Sequence, residues 1–241
     1  MKSRVQVVVI GGGVVGCSVL CHLTKMGWKD VVLIERSELT SGSTWHAAGG
    51  FHTLNADTNM AALQGYTIKL YKELEEISGQ SCGLHHVGGI TLASDEDRMD
   101  YLKAEHAKHQ HMGLDTRLVD LAEIKELCPV MNTDGVIGGM YDPLDGHLDP
   151  SGTTHAYAKA AKIQGAEIYL RNRVLELNPR GDSTWDVVTE EGTINTENIV
   201  NAGGLWAREV GAMVGVYHPL HPMEHQYLIT EDIPAVYERD N

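Results

Sequence analysis

The chain has 241 residues with 19 basic and 33 acidic side chains, a formal net charge of −14 with histidine neutral. That balance leaves no sizeable phosphate-neutralising surface, which argues against nucleic acid and anionic membrane as main partners. No stretch approaches the roughly 20 apolar residues of a membrane span, and four cysteines do not make a disulfide scaffold, so a reduced compartment is expected. The 26 glycines exceed the usual share of about 7%, and their positions matter more than their number. The first apolar run, Val5 to Ile10, is β-branched and stops at Gly11-Gly12-Gly13, so it reads as a buried strand rather than a signal peptide. Little sequence precedes it, so little room is expected for a secretory or organellar presequence, and a cytoplasmic protein is the expectation. A helix is expected over Val14 to Lys25, stopped by Gly27, and a second strand over Val31 to Ile34.

Between the first strand and the helix lies Gly11-Gly12-Gly13-Val14-Val15-Gly16, a match to G-x-G-x-x-G. Alone, the match is weak in a glycine-rich chain. With strand, helix and strand around it, and an acid 19 residues past Gly16 at Glu35, it becomes a dinucleotide-binding unit. Gly11 permits the tight turn, Gly13 lets the N–H groups of Val14 and Val15 approach a pyrophosphate, and Gly16 lets helix and strand pack closely. The helix N-terminus adds partial positive charge. Glu35, rather than a basic residue at this position, favours a free ribose 2′-hydroxyl, as in NAD or FAD, over NADP, and Arg36 is a further candidate cofactor contact. Cys17 and Cys21 on the same helix read as small packing side chains rather than a redox pair.

The loop that follows runs Gly42-Ser43-Thr44-Trp45-His46-Ala47-Ala48-Gly49. Its hydroxyls, Ser43 and Thr44, can donate to phosphate oxygens, and its small residues suit close approach to a flat ligand. In this segment the chain resembles the dimethylglycine/sarcosine dehydrogenase family of flavoproteins, in the D-amino-acid-oxidase-like superfamily. The resemblance extends through Asp145-Gly146-His147-Leu148-Asp149-Pro150 and Ile199-Val200-Asn201-Ala202-Gly203-Gly204-Leu205-Trp206-Ala207. It implies FAD as cofactor, attached covalently through the His46 imidazole. It also implies a second flavin-binding turn at Ala202 and Gly203 with Trp206 packed over the site, and an adenine contact from the backbone of Val174. Pro222-Met223-Glu224-His225-Gln226-Tyr227 resembles a family segment entering the substrate domain. There the resemblance makes His225 a substrate-side residue and candidate general base, and Tyr227 a residue shaping the pocket.

The remaining elements follow from pattern. A helix over Asp57 to Ser78 carries apolar Leu63, Tyr66, Leu70, Leu74 and Ile77. A strand is expected over Gly89 to Ala93, a helix begun by Ser94 and Asp97 and running to about His111, and a short helix over Leu121 to Leu127. A helix from Pro150 to Ile163 and strands near 167–170, 173–178, 184–189 and 197–201 complete the chain. His106 and His109 read as solvated, the acidic group Asp142, Asp145, His147 and Asp149 as a turn, and no metal site is expected.

The fold class is therefore α/β. A Rossmann-like FAD domain split over 1–80 and 147–216 holds an inserted, incomplete α+β substrate domain over 81–146 and 217–241. The resemblance implies oxidation of an N-methyl amine such as dimethylglycine or sarcosine by hydride transfer to flavin, with folate as a possible partner through a C-terminal region that family members carry beyond this point. It makes the chain, taken alone, a truncated and inactive fragment; the electron acceptor stays undefined. Another secondary or tertiary amine as substrate, a non-catalytic regulatory relative and an NAD-dependent dehydrogenase remain as alternatives; the His46 loop and the second glycine turn weigh against the last.

Overall fold

The structure is a computed structural model and describes residues 1–53, 55 and 57–237. In chain order the elements are β1 (Arg4–Ile10), α1 (Val14–Lys25), β2 (Val31–Ile34), β3 (Gly50–Phe51), α2 (Thr58–Ser78), β4 (Gly89–Ala93), α3 (Glu96–His111), β5 (Arg117–Val119), α4 (Leu121–Leu127), β6 (Gly138–Asp142), β7 (Gly146–His147), α5 (Pro150–Ile163), β8 (Glu167–Tyr169), β9 (Val174–Pro179), β10 (Trp185–Thr189), β11 (Gly192–Asn201), α6 (Ala207–Ala212) and α7 (Pro234–Tyr237). They form two compact units. One comprises residues 1–49, 69–84 and 148–222, the other 50–68, 85–147 and 223–241. Among the described residues no helix is long and apolar enough to cross a membrane.

The first unit is built on a six-stranded sheet of order β8-β2-β1-β11-β10-β9. β8, β2, β1 and β11 run parallel, and β10 and β9 follow antiparallel. β1 and β2 are apolar at nearly every position because both faces of the sheet are covered. Val7, Val9, Val31 and Leu33 pack with Cys17, Leu20 and Cys21 of α1, Leu70 and Leu74 of α2, and the alanines of α5. Val8, Ile10, Val32 and Ile34 belong to a second cluster with Leu177, Val187, Ile194 and Val210. Small side chains at Ala156, Ala160 and Ala161 are fully buried, which suits close packing of α5 against α1.

The second unit holds a three-stranded antiparallel sheet, β4-β6-β5, and the two-stranded β3-β7 pair. Ala93, Leu102 and Met140 form its core. Three sequence expectations are corrected here. α3 starts from Asp95, whose carboxylate accepts the Arg98 N–H at 2.7 Å, so Ser94 is not its cap. His109 is not solvated: α3 turns it inward, where it is fully buried with Glu105, and desolvation holds its pKa down. On α2 only part of the expected apolar face is covered, since Leu70 and Leu74 are buried while Leu63, Tyr66 and Ile77 are exposed.

The interface between α1 and β1 has no spare volume. A Cβ on Gly16 would overlap the Gly11 carbonyl oxygen, a backbone atom that cannot swing aside. Gly16→Ala is expected to lower stability by about 1–3 kcal/mol, the usual range for overpacking, read as a fall in the urea midpoint at unchanged slope. The exposed control Gly181→Ala, with open space at its Cβ, should move the midpoint far less.

Candidate functional site

The carboxyl ends of the parallel strands bring the two glycine turns together. Ile10 pairs with Ile34 of β2 on one side and with Asn201 of β11 on the other. The ladder continues one step past the strands, with Gly11 N donating to Ile34 O and Ala202 N donating to Ile10 O, each at 2.9 Å. Gly11 has φ +113°, and a Cβ there would overlap Ala202 O. Only glycine meets both demands. This is the crevice outside the ends of parallel strands, on either side of a central strand, where open α/β sheets take ligands.

Glu35 sits at the end of β2 and is held from both sides. Its Oε2 accepts Gly12 N at 2.6 Å and its Oε1 accepts Ser37 N at 2.8 Å. A Cβ on Gly12 would lie 2.9 Å from Glu35 Cγ and 2.8 Å from Leu39 Cδ2, so the middle glycine makes room for the carboxylate. Gly13 is the residue before α1 and offers it no side-chain cap. The cap comes from the next loop: Thr44 Oγ1 accepts Val14 N at 3.0 Å. A Cβ on Gly13 would stand 3.0 Å from that hydroxyl. The Val15 side chain is exposed.

The loop itself is one turn of 3-10 helix, Thr44–His46, with Ser43 before it. The Trp45 and His46 rings lie 3.8 Å apart between centroids, and both residues are exposed. Arg36 places its guanidinium 3.8 Å from the Trp206 ring centroid, a cation–π contact. Trp206 also lies 3.6 Å from the position of a Cβ on Gly42. Asn201 shapes the second turn: its Oδ1 accepts Gly203 N at 3.1 Å and its Nδ2 donates to Ala207 O at 2.7 Å.

Thus Gly11, Gly13, Val14, Val15, Gly16, Glu35, Thr44, Ala202 and Gly203 belong to one constellation, with Arg36 and Trp206 stacked together. Val174 begins the edge strand β9 and is buried in the cluster that also holds Ile10 and Ile34. His225 and Tyr227 belong to the other unit, in a stretch without helix or strand, and are exposed. Three supporting residues carry no sequence signal. Thr40 adopts φ +69° and donates its N–H to Gly12 O at 3.0 Å. Arg171, at φ +53°, donates its N–H to Ser37 O at 2.9 Å, and the buried Asn172 donates to Glu35 O at 3.0 Å. Cys17, deep behind the turn, has its thiol pushed up to about 12 by burial, which suits packing and not thiolate chemistry.

The second unit carries its own polar network. Thr53 is fully buried, its N–H donating to Asp145 Oδ1 at 3.1 Å and its hydroxyl to Asp142 Oδ2. Asp142 Oδ1 also accepts Leu144 N at 2.9 Å. Burial, and then the neighbouring Asp142 charge, push the Asp145 carboxyl up to about 7.

The glycine cradle fits a dinucleotide. Space that side chains would fill is kept open at three consecutive residues, a helix N-terminus follows, and a fixed carboxylate stands at the neighbouring strand end. These features define a dinucleotide-binding α/β domain of Rossmann type. The chain belongs to the FAD dependent oxidoreductase (DAO) family, whose profile matches residues 6–241. Mitochondrial dimethylglycine dehydrogenase of Rattus norvegicus is 44% identical over 235 residues, covering 98% of this chain and 27% of the relative. Human mitochondrial sarcosine dehydrogenase is 38% identical over 247 residues, covering 100% of this chain and 27% of the relative. Among solved structures, L-proline dehydrogenase from P. horikoshii superposes with a TM-score of 0.83 at 29% identity, over 90% of this chain and 57% of that one. The chain spans about a quarter of the length of these curated relatives.

The Asp145 shift has a thermodynamic sign. In the unfolded chain the carboxyl releases its proton near 3.8, whereas folded it holds the proton to about 7. Between those values the folded state binds more protons, so this group's contribution to stability falls as pH rises from about 4 to about 7 and is level above. Asp145→Asn should lose that slope and be the more stable protein at pH 8. Urea midpoints of both proteins at pH 4.5 and 8 check this; an equal fall in the variant would place its origin elsewhere.

Proposed function

We propose that the first unit binds FAD and that the chain serves the oxidation of a small N-methylated amino acid, of the dimethylglycine or sarcosine kind. The observation that carries the reading is the paired glycine turn with Glu35 at the neighbouring strand end, in a chain 44% identical to a dimethylglycine dehydrogenase. The second unit, in this reading, is part of the substrate domain.

The roles of the residues follow from their bonds. The Gly11 to Gly16 turn and the first N–H groups of α1 receive the pyrophosphate. Thr44, which already accepts from Val14 N, has its own O–H to donate to a phosphate oxygen. Glu35 uses one lone pair of each oxygen on Gly12 and Ser37 and keeps the others for ribose hydroxyls. His46, exposed on its single helical turn, is the attachment residue. When bound, FAD supplies a two-electron acceptor for hydride from an N-methyl carbon. The protein's part is to hold the amine unprotonated, since only the free lone pair assists departure of hydride. His225 is the proposed proton acceptor on the substrate side, and Tyr227 a wall of the pocket.

Attachment at His46 is tested by precipitating the protein in acid after expression in flavin-replete cells. Yellow colour is expected to stay with the polypeptide and to move to the supernatant in His46→Ala. Flavin released from the native protein would overturn the covalent link, and a protein that takes up no flavin would overturn the cofactor assignment.

A further inference from the structure

The second unit contains a cleft of about 510 Å³ lined by Phe51, His52, Ile90, Asp145 and His147 and floored by the backbone of Gly88 and Gly89. Its chemistry is mixed in a particular way. Phe51 and Ile90 offer apolar surface suited to N-methyl groups. Among the described residues no lysine or arginine lines the cleft. Among them the carboxyl in its wall is Asp145, partly exposed and placed directly against Gly89, where a Cβ would overlap Asp145 Oδ2. Gly89 therefore keeps the carboxyl in place by leaving it room.

Asp145 does not stand alone. Thr53 joins it to Asp142, its N–H donating to Asp145 Oδ1 and its hydroxyl to Asp142 Oδ2. Asp142 is almost wholly buried and already committed, with Oδ1 on Leu144 N and Oδ2 on the Thr53 hydroxyl. Two carboxyls so placed cannot both ionise without a positive charge nearby. Among the described residues that line the cleft no lysine or arginine supplies that charge, and of the two carboxyls Asp145 meets the cleft. The other titratable groups around it are His52 and His147 in the lining, His85 stacked on His147 at 4.9 Å, and His86 set edge-on against Phe51 at 5.5 Å. The buried His109 of α3 feels the Asp142 charge.

We propose that this cleft is an amine subsite in which the Asp145 carboxylate receives the ammonium of a small N-methylated amino acid and takes its proton. The inference rests on the N-methyl amine reading given above and names the residue that would perform its first step. In that step an N–H bond of the ammonium breaks and an O–H bond forms on Asp145. The amine regains its lone pair, and nothing is oxidised or reduced. A carboxyl that holds its proton to about 7 is far better matched to an alkylammonium, near 10 like that of lysine, than an ordinary aspartate. The ring N–H groups of His52 and His147 are available to the substrate carboxylate. Asp145 thereby competes with His225, the residue that sequence resemblance puts in this role.

The test is an amide-resolved NMR titration of this 241-residue chain with dimethylglycine and with 3-methylbutanoate, its isostere in which carbon replaces nitrogen. Dimethylglycine should shift the amides of Thr53, Gly88 and Gly89, and should bind more tightly as pH rises through about 7 and Asp145 ionises. Asp145→Asn keeps an acceptor for Thr53 N–H and should weaken dimethylglycine about 10- to 100-fold, the range of a lost charge-assisted hydrogen bond. Binding of 3-methylbutanoate should be unchanged by the substitution. Shifts confined to other residues, or equal affinity in the variant, overturn the assignment. The parent reading is read separately, by anaerobic bleaching of flavin in the flavin-loaded protein. Bleaching by dimethylglycine without binding in the cleft sinks the subsite alone. Bleaching by another amine, but by neither dimethylglycine nor sarcosine, sinks the N-methyl amine reading and this substrate with it.

Discussion

The site depends on how closely β11 follows β1. The two strands share a parallel ladder from Arg4 and Asn195 to Ile10 and Asn201, and it carries on through Ala202 N to Ile10 O. At that point the backbones are so near that Gly11 can have no side chain, and the same glycine's carbonyl forbids one on Gly16. Two turns remote in sequence thus form one concave surface of backbone donors. Glu35 enters it because β2 flanks β1 on the other side and Gly12 gives its carboxylate both room and a hydrogen bond.

The supporting bonds reach outward from that contact. Thr40 fixes Gly12 from above, Arg171 and Asn172 tie the segment after β8 to residues 35–37, and Thr44 closes the start of α1. Positive φ at Thr40 and Arg171 is unusual for side chains of their kind and is sustained by these hydrogen bonds. The second unit uses a different principle. There Thr53 joins Asp142 and Asp145, so a buried threonine and two carboxyls stabilise the join between the stretch after β3 and the turn that leads into β7.

Much of the first unit was legible in the sequence, because its signals are local. An apolar run bounded by glycines marks β1, and the spacing of Gly11, Gly13, Gly16 and Glu35 follows from the length of one helix and one strand. The bounds of α1, β2, β4, α4 and α5 were readable for the same reason. What escaped was set by partners distant in sequence. β6 reads Gly-Gly-Met-Tyr-Asp, without alternation, and is a strand because β4 and β5 flank it. β3 and β7 are two residues each and exist only as a pair. His109 lies in a polar helix and is buried because the sheet covers that face, and Asn201 and Asn172 acquire their roles from backbone that folds back to meet them. The capping of α3 was a matter of one residue, decided by the extended conformation of Asp95.

The β1–β11 ladder also governs the order of assembly. The partners of residues 4–10 are residues 195–201, so β1 waits for the last strand of its unit. β2 can join β1 early across one short helix, but a sheet of only those strands leaves the far edge of β1 without hydrogen bonds. Pairing across such a span loses much chain entropy before it gains contacts, which makes it a slow step. The cofactor cradle, shared between the two ends of that span, is complete only when the step is over. An emerging chain therefore carries an open, apolar edge at β1 until residues 195–201 have been made, the interval in which it is most exposed to wrong pairing.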